Sequence, residues 1–290
     1  METLKNCMLC NSADLDFFDH PSDICRCNSC GFIFDNPRPT FEEIQRYYSR
    51  PEQYDSWLEN LAGRDKLWKR RIKNVTKWKK EGNLLDIGTG IGQFLAVARP
   101  GFSEVSGTEI SDSAVEIART SYSLAILKGK IEDISFGNKK FDNITIFHVL
   151  EHVDNPKKVI EKCHGLMTEN AILFIAVPND VASLKVRTKL FLKKFGFYKS
   201  IGKSGLNKLI LDGTLGELHL SHFTQVVLKK FLETEGFKVR ELSLDPYYAG
   251  TGFRKIVQDL YYYCNSVFYH MFRVNLYDTI WIVAEKTADG

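Results

Sequence analysis

Short apolar runs alternate with helix-spaced apolar patterns from residue 83 onward. This alternation is typical of a parallel sheet whose strands are buried on both faces and connected by helices. The pattern predicts four main helices, over residues 94–98, 113–121, 156–166 and 224–235. It predicts seven strands, over residues 84–87, 104–108, 124–127, 141–147, 171–177, 238–244 and 279–285. The expected fold class is therefore α/β with a seven-stranded sheet.

The first eighty or so residues follow different patterns. Residues 1–40 are rich in cysteine and in turn-forming residues, whereas apolar residues recur at helical spacing over residues 41–81. Thr40 and Glu43 have the spacing of a capping box at the start of a helix. We therefore expect three parts: a small N-terminal domain, a helical linker or lid, and an α/β domain over residues 82–290.

Two helical insertions are expected in the α/β domain, both near strand ends, where the substrate loops of open sheets gather. The insertion at about residues 181–220 contains the basic stretch 185–208, in which Lys and Arg are mixed with Phe. The insertion at residues 246–278 is rich in Tyr and Phe. The basic stretch is consistent with an anionic substrate, with peripheral contact to a membrane surface or with a solvated helix face, and these alternatives stay open.

Composition narrows the class of protein. The chain has 290 residues, 44% hydrophobic and 26% charged, which excludes an intrinsically disordered chain. A basic helix over residues 64–80 is interpreted as a solvated face with its Trp residues packed on the sheet. RNA binding is the alternative, although a net charge of +3 is too small to indicate it. No apolar run reaches the roughly 20 residues of a membrane span, and the N-terminus has no apolar signal-peptide core, so a cytoplasmic location is expected.

A glycine-rich turn follows the first predicted strand. Gly88, Gly90 and Gly92 lack the Cβ atoms that keep a backbone away from a ligand, and the helix that follows offers free N–H groups. The third glycine comes one residue earlier than in the G-x-G-x-x-G turn of dinucleotide-binding proteins, so a dinucleotide is the weaker prediction. Asp86 precedes the turn, which suits a ligand with an amino-acid end.

Two acidic residues follow the next two strands. Glu109 ends the second strand, where a carboxylate can accept hydrogen bonds from both ribose hydroxyls. Asp133 follows the third strand and is placed to meet an adenine amino group. Together with the glycine turn, these acids predict an adenosine site at the carboxyl ends of the strands.

From residue 84 to about residue 236, the sequence resembles the class I S-adenosylmethionine-dependent methyltransferases. The matching segments are Asp86-Ile-Gly-Thr-Gly-Ile-Gly92, Gly107-Thr-Glu-Ile-Ser111, Phe141-Asp142, His148-Val-Leu-Glu-His-Val153, Val177-Pro-Asn179 and Gly236-Phe237. The segment that begins at His148 is similar to one in ubiquinone-biosynthesis-type methyltransferases. The resemblance implies a Rossmann-like sheet and S-adenosylmethionine as the methyl donor.

The resemblance also assigns residues to the cofactor. Glu109 would hold the ribose and Asp133 the adenine amine, while the glycine turn would hold the methionine portion. Ile110 and Ile134 follow the two acids and are assigned to the same site. The residues that would line the pocket of the methyl donor are Phe147 and His148.

Five of the seven cysteines lie within the first thirty residues. Cys7/Cys10 and Cys27/Cys30 form two C-x-x-C knuckles separated by sixteen residues, the spacing of a four-cysteine zinc ribbon. Four thiolates leave no open position on the ion, and so small a segment needs a metal to fold, so a structural Zn²⁺ is expected. Cys25 is the alternative ligand to Cys27.

A zinc ribbon followed by a methyltransferase domain resembles a group of sugar and antibiotic-pathway methyltransferases. In that group the ribbon continues into sequence like Cys30-Gly-Phe-Ile-Phe-Asp-Asn-Pro-Arg-Pro39. The full catalytic motif of the sugar C-methylating members is not found here. We expect a small-molecule acceptor, with an O or C atom of a saccharide or nucleotide-linked sugar favoured. A quinone- or lipid-type acceptor is the alternative, favoured by the aromatic insertion.

Methyl transfer to a hydroxyl or carbon requires a base that removes a proton from the acceptor. An imidazole titrates near neutral pH, so the histidines near the predicted cleft are the candidates. Each of them can equally be a helix cap or a packed ring, and Glu151 is expected to orient a neighbour rather than to act as the base. The candidate bases are His148, His152, His219 and His222.

Overall fold

The structure is a computed structural model that describes residues 1–19, 23–79, 81–197, 204–206, 217–250 and 252–287. The strands in these residues are β1 (Leu15–Asp19), β2 (Ile24–Cys27), β3 (Ile33–Asp35), β4 (Asn83–Ile87), β5 (Glu104–Glu109), β6 (Ile126–Lys128), β7 (Phe141–Phe147), β8 (Met167–Pro178), β9 (Ser221–His222), β10 (Phe237–Ser243) and β11 (Thr279–Lys286). The helices are α1 (Phe41–Tyr48), α2 (Asp55–Glu59), α3 (Leu61–Val75), α4 (Gln93–Ala98), α5 (Asp112–Tyr122), α6 (Pro156–Leu166), α7 (Leu184–Lys193), α8 (Gln225–Thr234) and α9 (Gly252–Phe272). Two short 3₁₀ helices span Pro51–Tyr54 and Arg99–Gly101.

Seven strands form one sheet, in the order β10-β11-β8-β7-β4-β5-β6. Strands β4 to β8 run parallel, and β11 lies antiparallel between β8 and β10. All seven strands predicted from the apolar runs are present, and the α/β, Rossmann-like fold class is confirmed. The apolar runs identify these strands because the central ones are buried on both faces.

Helices cover both faces of the sheet. On one face, Val159 of α6 and Leu228 of α8 join Leu85 of β4 in one apolar cluster. On the other face, Leu67 of α3 joins Leu84 of β4 in a second cluster. Adjacent residues of β4 therefore point into two different cores, which leaves the strand ends for ligand binding.

Within the described part of residues 1–40, β1, β2 and β3 form a small antiparallel sheet, and β9 joins it as a fourth strand from the α/β domain. Ile33 and His222 are paired across β3 and β9. The ring centroids of Phe32 and Phe223 lie 5.3 Å apart, and both residues belong to an apolar cluster of the main sheet. The N-terminal segment, called the ribbon below, therefore shares the core of the α/β domain.

Between the ribbon and the main sheet, the predicted helical segment contains α1, α2 and α3. The capping box is present, because Thr40 Oγ1 accepts from the Glu43 N–H and the Glu43 carboxylate accepts from the Thr40 N–H. Helix α3 is not only a solvated face, since the guanidinium of Arg71 is fully buried in an ion pair with Asp245. Trp68 of α3 packs in the core, as expected, whereas Trp78 lies after the end of α3 and is exposed, contrary to the prediction.

Both predicted insertions contain a helix. Of the first, residues 198–203 and 207–216 lie outside the described residues, and with them part of the predicted basic stretch, while the described part includes α7. The second insertion contains α9, whose Tyr269 packs against Leu244 and Tyr277. In the part of the chain that the structure describes, no helix is long and apolar enough to cross a membrane.

Candidate functional site

The functional site begins at the carboxyl end of β4, where the strand order reverses. Gly88, Gly90 and Gly92 have φ angles of 65°, 55° and 80°, a region that favours glycine. A Cβ atom on Gly88 would lie 2.4 Å from Val149 Cγ2, so this position also needs glycine for space. The turn therefore presents backbone rather than side chains to a ligand.

Two carboxylates lie beside this turn. The Glu109 carboxylate accepts hydrogen bonds from the N–H groups of Gly90 and Ile110, each at 2.8 Å. Asp86 accepts a hydrogen bond from Thr145 Oγ1 at 2.6 Å. Burial raises the pKa of both carboxyl groups, that of Asp86 to about 7. A ligand that brings positive charge or hydrogen-bond donors would therefore stabilise the charged form of both carboxyl groups.

A cavity of about 560 Å³ lies between the strand ends and the helical segment, within the size range of small-molecule sites. The predicted cofactor residues that line it are Asp86, Gly88, Gly90, Glu109, Ile110, Phe147 and His148. Gly92 is not in the lining, because it packs against Ala118 of α5 behind the turn. The helical segment contributes Tyr48, Tyr54, Trp57, Arg64 and Trp68.

The turn after β6 differs from the prediction. Asp133 and Ile134 lie outside the cavity lining, and Lys130, Ile131 and Glu132 line it instead. The Asp133 N–H donates to the Lys130 carbonyl at 3.0 Å, and this tight turn leaves the Asp133 side chain exposed. Burial raises the pKa of Glu132. The carboxylate offered to the cavity is thus Glu132, one residue before the predicted position.

Two of the four candidate histidines, His148 and His152, line the cavity. His148 has a φ angle of 55°, which is uncommon for a residue with a Cβ atom, and its ring centroid lies 3.9 Å from that of Tyr247. Its Nε2 has no hydrogen-bond partner among the described residues. His152 Nδ1 lies 2.7 Å from the Leu218 carbonyl oxygen, which favours a proton on Nδ1. Burial lowers the pKa of both rings, that of His152 to about 4, so both are neutral at pH 7.

The other two candidates lie outside the lining and are protonated. His219 Nδ1 lies 2.6 Å from Asp180, and its Nε2 lies 3.3 Å from Glu217. His222 Nε2 lies 2.8 Å from Asp35 of β3, and its Nδ1 lies 3.4 Å from Asp180. Burial alone would lower the pKa of both rings, but the carboxylates outweigh it and raise the pKa, that of His222 to about 9. These histidines are therefore unsuited to accept a proton at neutral pH.

Sequence reasoning did not identify the carboxylates of this cluster. Asp180 and Asp35 each lie at or just after a strand end, the same signal that pointed to Glu109. Glu151, expected to orient a neighbour, is buried with its Oε1 3.4 Å from His148 Nδ1. Burial raises the pKa of Glu151 to about 8, so a neutral carboxyl group lies beside a neutral ring at pH 7.

The four predicted zinc ligands lie together in the ribbon. The Sγ atoms of Cys7 and Cys30 are 3.6 Å apart, and those of Cys10 and Cys27 are 3.5 Å apart. All four sulfur atoms lie within 4.8 Å of one another. This spacing fits a tetrahedral ion with Zn–S distances of about 2.3 Å. Cys25 is not part of the cluster.

Comparison with known proteins identifies the family. A family model described as a methyltransferase domain matches residues 54–242, more than half of the chain. The chain belongs to this methyltransferase family. It is an S-adenosylmethionine-dependent methyltransferase, and the resemblance seen in the sequence is confirmed.

Relatives of this methyltransferase include proteins from archaea and bacteria. It is 27% identical to the uncharacterized protein MJ1123 of Methanocaldococcus jannaschii over 192 residues, 66% of this chain and 89% of the relative. It is 36% identical to the ubiquinone biosynthesis O-methyltransferase of Glaesserella parasuis over 110 residues, 34% of this chain and 46% of that protein. The solved structure of an S-adenosylmethionine-dependent methyltransferase from Thermotoga maritima matches with a TM-score of 0.52 at 17% identity, covering 85% of this chain and 99% of that one. The structural match shows a shared fold.

Proposed function

We propose that this methyltransferase acts on an oxygen or carbon atom of a small, anionic biosynthetic intermediate, with a saccharide or nucleotide-linked sugar as the favoured acceptor. The observation that carries the proposal is that the glycine turn, Glu109 and a neutral His148 line one cavity. Methyl transfer requires a cofactor site and a base within reach of the same acceptor, since positioning and proton removal act together.

S-adenosylmethionine supplies a methyl group on a positively charged sulfur. Glu109 would accept hydrogen bonds from the ribose hydroxyls, while the glycine turn would contact the methionine portion. Glu132 takes the place of Asp133 as the proposed partner of the adenine amine. Together with Asp86, these carboxylates give the cavity an acidic lining that suits a cation.

His148 is the proposed general base. It is neutral, and its Nε2 has no protein partner among the described residues. With its proton on Nδ1, the side nearer Glu151, the ring can accept a proton from the acceptor at Nε2. When the O–H or C–H bond of the acceptor breaks, the proton would move to His148 Nε2 and the freed electron pair would bond to the methyl carbon, while the electrons of the broken methyl–sulfur bond would stay on sulfur as a neutral thioether.

Arg64 of α3 supports an anionic acceptor. Its side chain is buried in the cavity lining, with the guanidinium carbon 3.8 Å from a ring centroid of Trp57. Its Nε has no hydrogen-bond partner among the described residues. A buried guanidinium with an unused N–H group is stabilised by a phosphate or carboxylate, which it binds in a fixed geometry.

A quinone- or lipid-type acceptor is the second candidate. The relative from Glaesserella parasuis is named a ubiquinone biosynthesis O-methyltransferase. The cavity also has several aromatic side chains in its lining, on which a flat ring can stack. These are Tyr48, Tyr54, Trp57, Trp68 and Tyr247.

The four clustered cysteines of the ribbon are proposed to hold a structural Zn²⁺. Their donor set fills all four positions of a tetrahedral ion, so the metal has no open position for a substrate. Burial raises the pKa of Cys7 and Cys30, so these thiols stay protonated at neutral pH unless a cation displaces the proton. The proposed role of the metal is therefore to fold the ribbon.

The acceptor is tested with the zinc-loaded protein, methyl-labelled S-adenosylmethionine and a panel of nucleotide-linked sugars and quinols. Label is expected in a sugar. Label in the quinols alone would favour the second candidate over the first, and an absence of cofactor binding would contradict both.

Glu109→Gln tests the proposed cofactor site. The substitution is expected to weaken S-adenosylmethionine binding by about 10–100-fold, because hydrogen bonds to a charged group are lost. Glu116→Gln, on the exposed side of α5, is the matched control and should bind like the wild type. Calorimetry measures both, and equal affinity in Glu109→Gln and wild type would contradict the ribose assignment.

A further inference from the structure

Helix α9 has apolar side chains on both of its faces. Its inner face packs through Tyr269 in a cluster with Leu244 and Tyr277. Its outer face carries apolar residues spaced three, four or seven apart, five of which are 61–78% exposed. These are Phe253, Ile256, Leu260, Val267 and Met271. The helix has 21 residues, so the apolar stripe is about 30 Å long, and a stripe of this length marks a binding surface.

Helix α7 begins beside the middle and the C-terminal end of α9 and adds aromatic side chains. The Leu184 N–H donates to the Leu276 carbonyl at 2.7 Å, a few residues after α9. Lys185 Nζ lies 5.5 Å from the ring centroid of Tyr261 of α9. The exposed aromatic residues of α7 and of the residues that follow it are Phe191, Phe195 and Phe197. We call residues 184–197 and 252–274 together the α7/α9 edge.

The α7/α9 edge is strongly basic. It contains eight Lys and Arg residues and a single acid, Asp259, which itself pairs with Lys255. The whole chain has a net charge of only +3, so the remainder of the chain is net negative. Positive charge is therefore concentrated in the α7/α9 edge. If a second copy of the chain docked here, two positively charged edges would repel each other. An anionic bilayer would instead neutralise the positive charge of the edge.

We propose that the α7/α9 edge docks on the surface of an anionic phospholipid bilayer. The apolar side chains of α9 enter the headgroup region while Lys and Arg contact lipid phosphates, as in amphipathic helices that lie in the membrane interface. The hydroxyl of Tyr248 contacts Asp259 of α9, and the neighbouring Tyr247 lines the cavity. Docking thus places the cavity next to the membrane, and the proposal does not depend on which acceptor is methylated.

Vesicle sedimentation tests this proposal with the zinc-loaded full chain. The protein is expected to sediment with vesicles of phosphatidylcholine and phosphatidylglycerol and to stay in solution with phosphatidylcholine alone, and added salt should weaken the binding. Leu260→Gln should weaken vesicle binding by about tenfold, because an apolar side chain no longer leaves water. Leu127→Gln is the matched control, since Leu127 is an exposed leucine of β6 at the opposite edge of the sheet.

A second variant tests the charge. Lys194→Gln combined with Arg254→Gln removes two positive charges and should weaken binding to the anionic vesicles by about 30-fold. All these variants should bind S-adenosylmethionine like the wild type, which separates a failure of docking from a failure of the proposed methyl transfer.

Three results would overturn the proposal. These are an absence of sedimentation, equal sedimentation with both kinds of vesicle, and a dimer that Leu260→Gln converts to monomers without any vesicle binding.

Discussion

The four candidate histidines differ in charge because their neighbours differ. Burial lowers the pKa of His148 and His152, which have no dominant carboxylate partner. His219 and His222 are equally enclosed, but Asp180 lies beside both and keeps them protonated. A general base must be neutral before it accepts a proton, so at neutral pH only His148 and His152 have the charge state that this role requires.

His148→Ala is expected to lower kcat by about 10²–10⁴-fold while S-adenosylmethionine affinity changes little, because the base acts on the acceptor. The pKa of His148 is lowered well below 6.5, so the loss of kcat/KM caused by protonation of His148 should occur only below pH 6.5, separate from any change caused by Asp86 near pH 7 or Glu151 near pH 8. Steady-state kinetics and calorimetry measure these quantities. His270→Ala, at an exposed position of α9, is the control, and an unchanged kcat in His148→Ala would exclude it as the base.

The position of a residue at a strand end is easier to predict from the sequence than the position of a residue in a turn. Glu109 ends β5, so its place beside the glycine turn follows from the parallel sheet. Asp133 and Glu132 are neighbours in one turn, and the hydrogen bond from Asp133 to the Lys130 carbonyl decides which of them lines the cavity. That bond depends on φ and ψ angles that residue types do not specify.

Strand β9 connects three parts of the molecule although it has only two residues. It pairs with β3 of the ribbon. The N–H groups of Leu220 and Ser221 donate to the Glu151 carbonyl after β7, at 2.8 and 3.1 Å. His222 contacts Asp35 of the ribbon and lies near Asp180, which follows β8. The ribbon is thereby tied to the histidine cluster behind the cavity.

The buried His222 should make stability depend on pH. Its pKa is raised to about 9 in the folded protein, above the 6.5 of an unperturbed histidine, so its contribution is complete below pH 6.5 and is lost as the pH rises through 9. This group alone should lower the free energy of unfolding by about 3 kcal/mol over that window. Denaturant unfolding at several pH values measures the change.

Variants separate His222 from other titrating groups. His222→Asn should lose this part of the pH dependence, whereas His270→Asn, at an exposed site, should follow the wild type. If the free energy of unfolding changed with pH in the same way in His222→Asn and the wild type, the Asp35–His222 pair would not be the source of the pH dependence.

A helix or strand can be predicted from the sequence when its apolar residues recur at a regular spacing or form a long run, and a very short strand shows neither. The central strands β4, β7 and β8 contain the longest buried apolar runs because helices cover both faces of the sheet there. Two residues, as in β9, cannot show an alternation. The aromatic insertion is expected to be helical and contains α9, but apolar residues on both faces of this helix leave its bounds unmarked in the sequence.

At the scale of the whole molecule, the ribbon and the α/β domain share one apolar cluster. Phe32 and Phe34 of the ribbon and Leu228 of α8 belong to it, together with central residues of the main sheet. The division of the chain at about residue 40 follows from composition, but composition does not show whether two segments have separate cores. Unfolding of the ribbon should therefore expose part of the main core.

Zinc removal is expected to destabilise the whole protein and not only its first forty residues. Structural zinc in small domains contributes about 10–16 kcal/mol of binding free energy, which is coupled to folding. Cys27→Ser should lose the metal, lower the melting temperature and weaken S-adenosylmethionine binding. Cys264→Ser, at an exposed cysteine of α9, should change none of these. Metal analysis, thermal unfolding and calorimetry check the outcome, and a Cys27→Ser protein that keeps its zinc would point to another ligand set.

The pairing of β3 with β9 joins segments that are far apart in the chain, since Asp35 and His222 are separated by 187 residues. A ribosome adds roughly 5–20 residues per second, so about 10–40 s pass between synthesis of the two partners. During this interval the nascent ribbon has an open sheet edge, and its cysteines can capture zinc before the second strand has been translated. In the order of biosynthesis, all four cysteines of the proposed zinc site are therefore available before the histidine cluster can assemble.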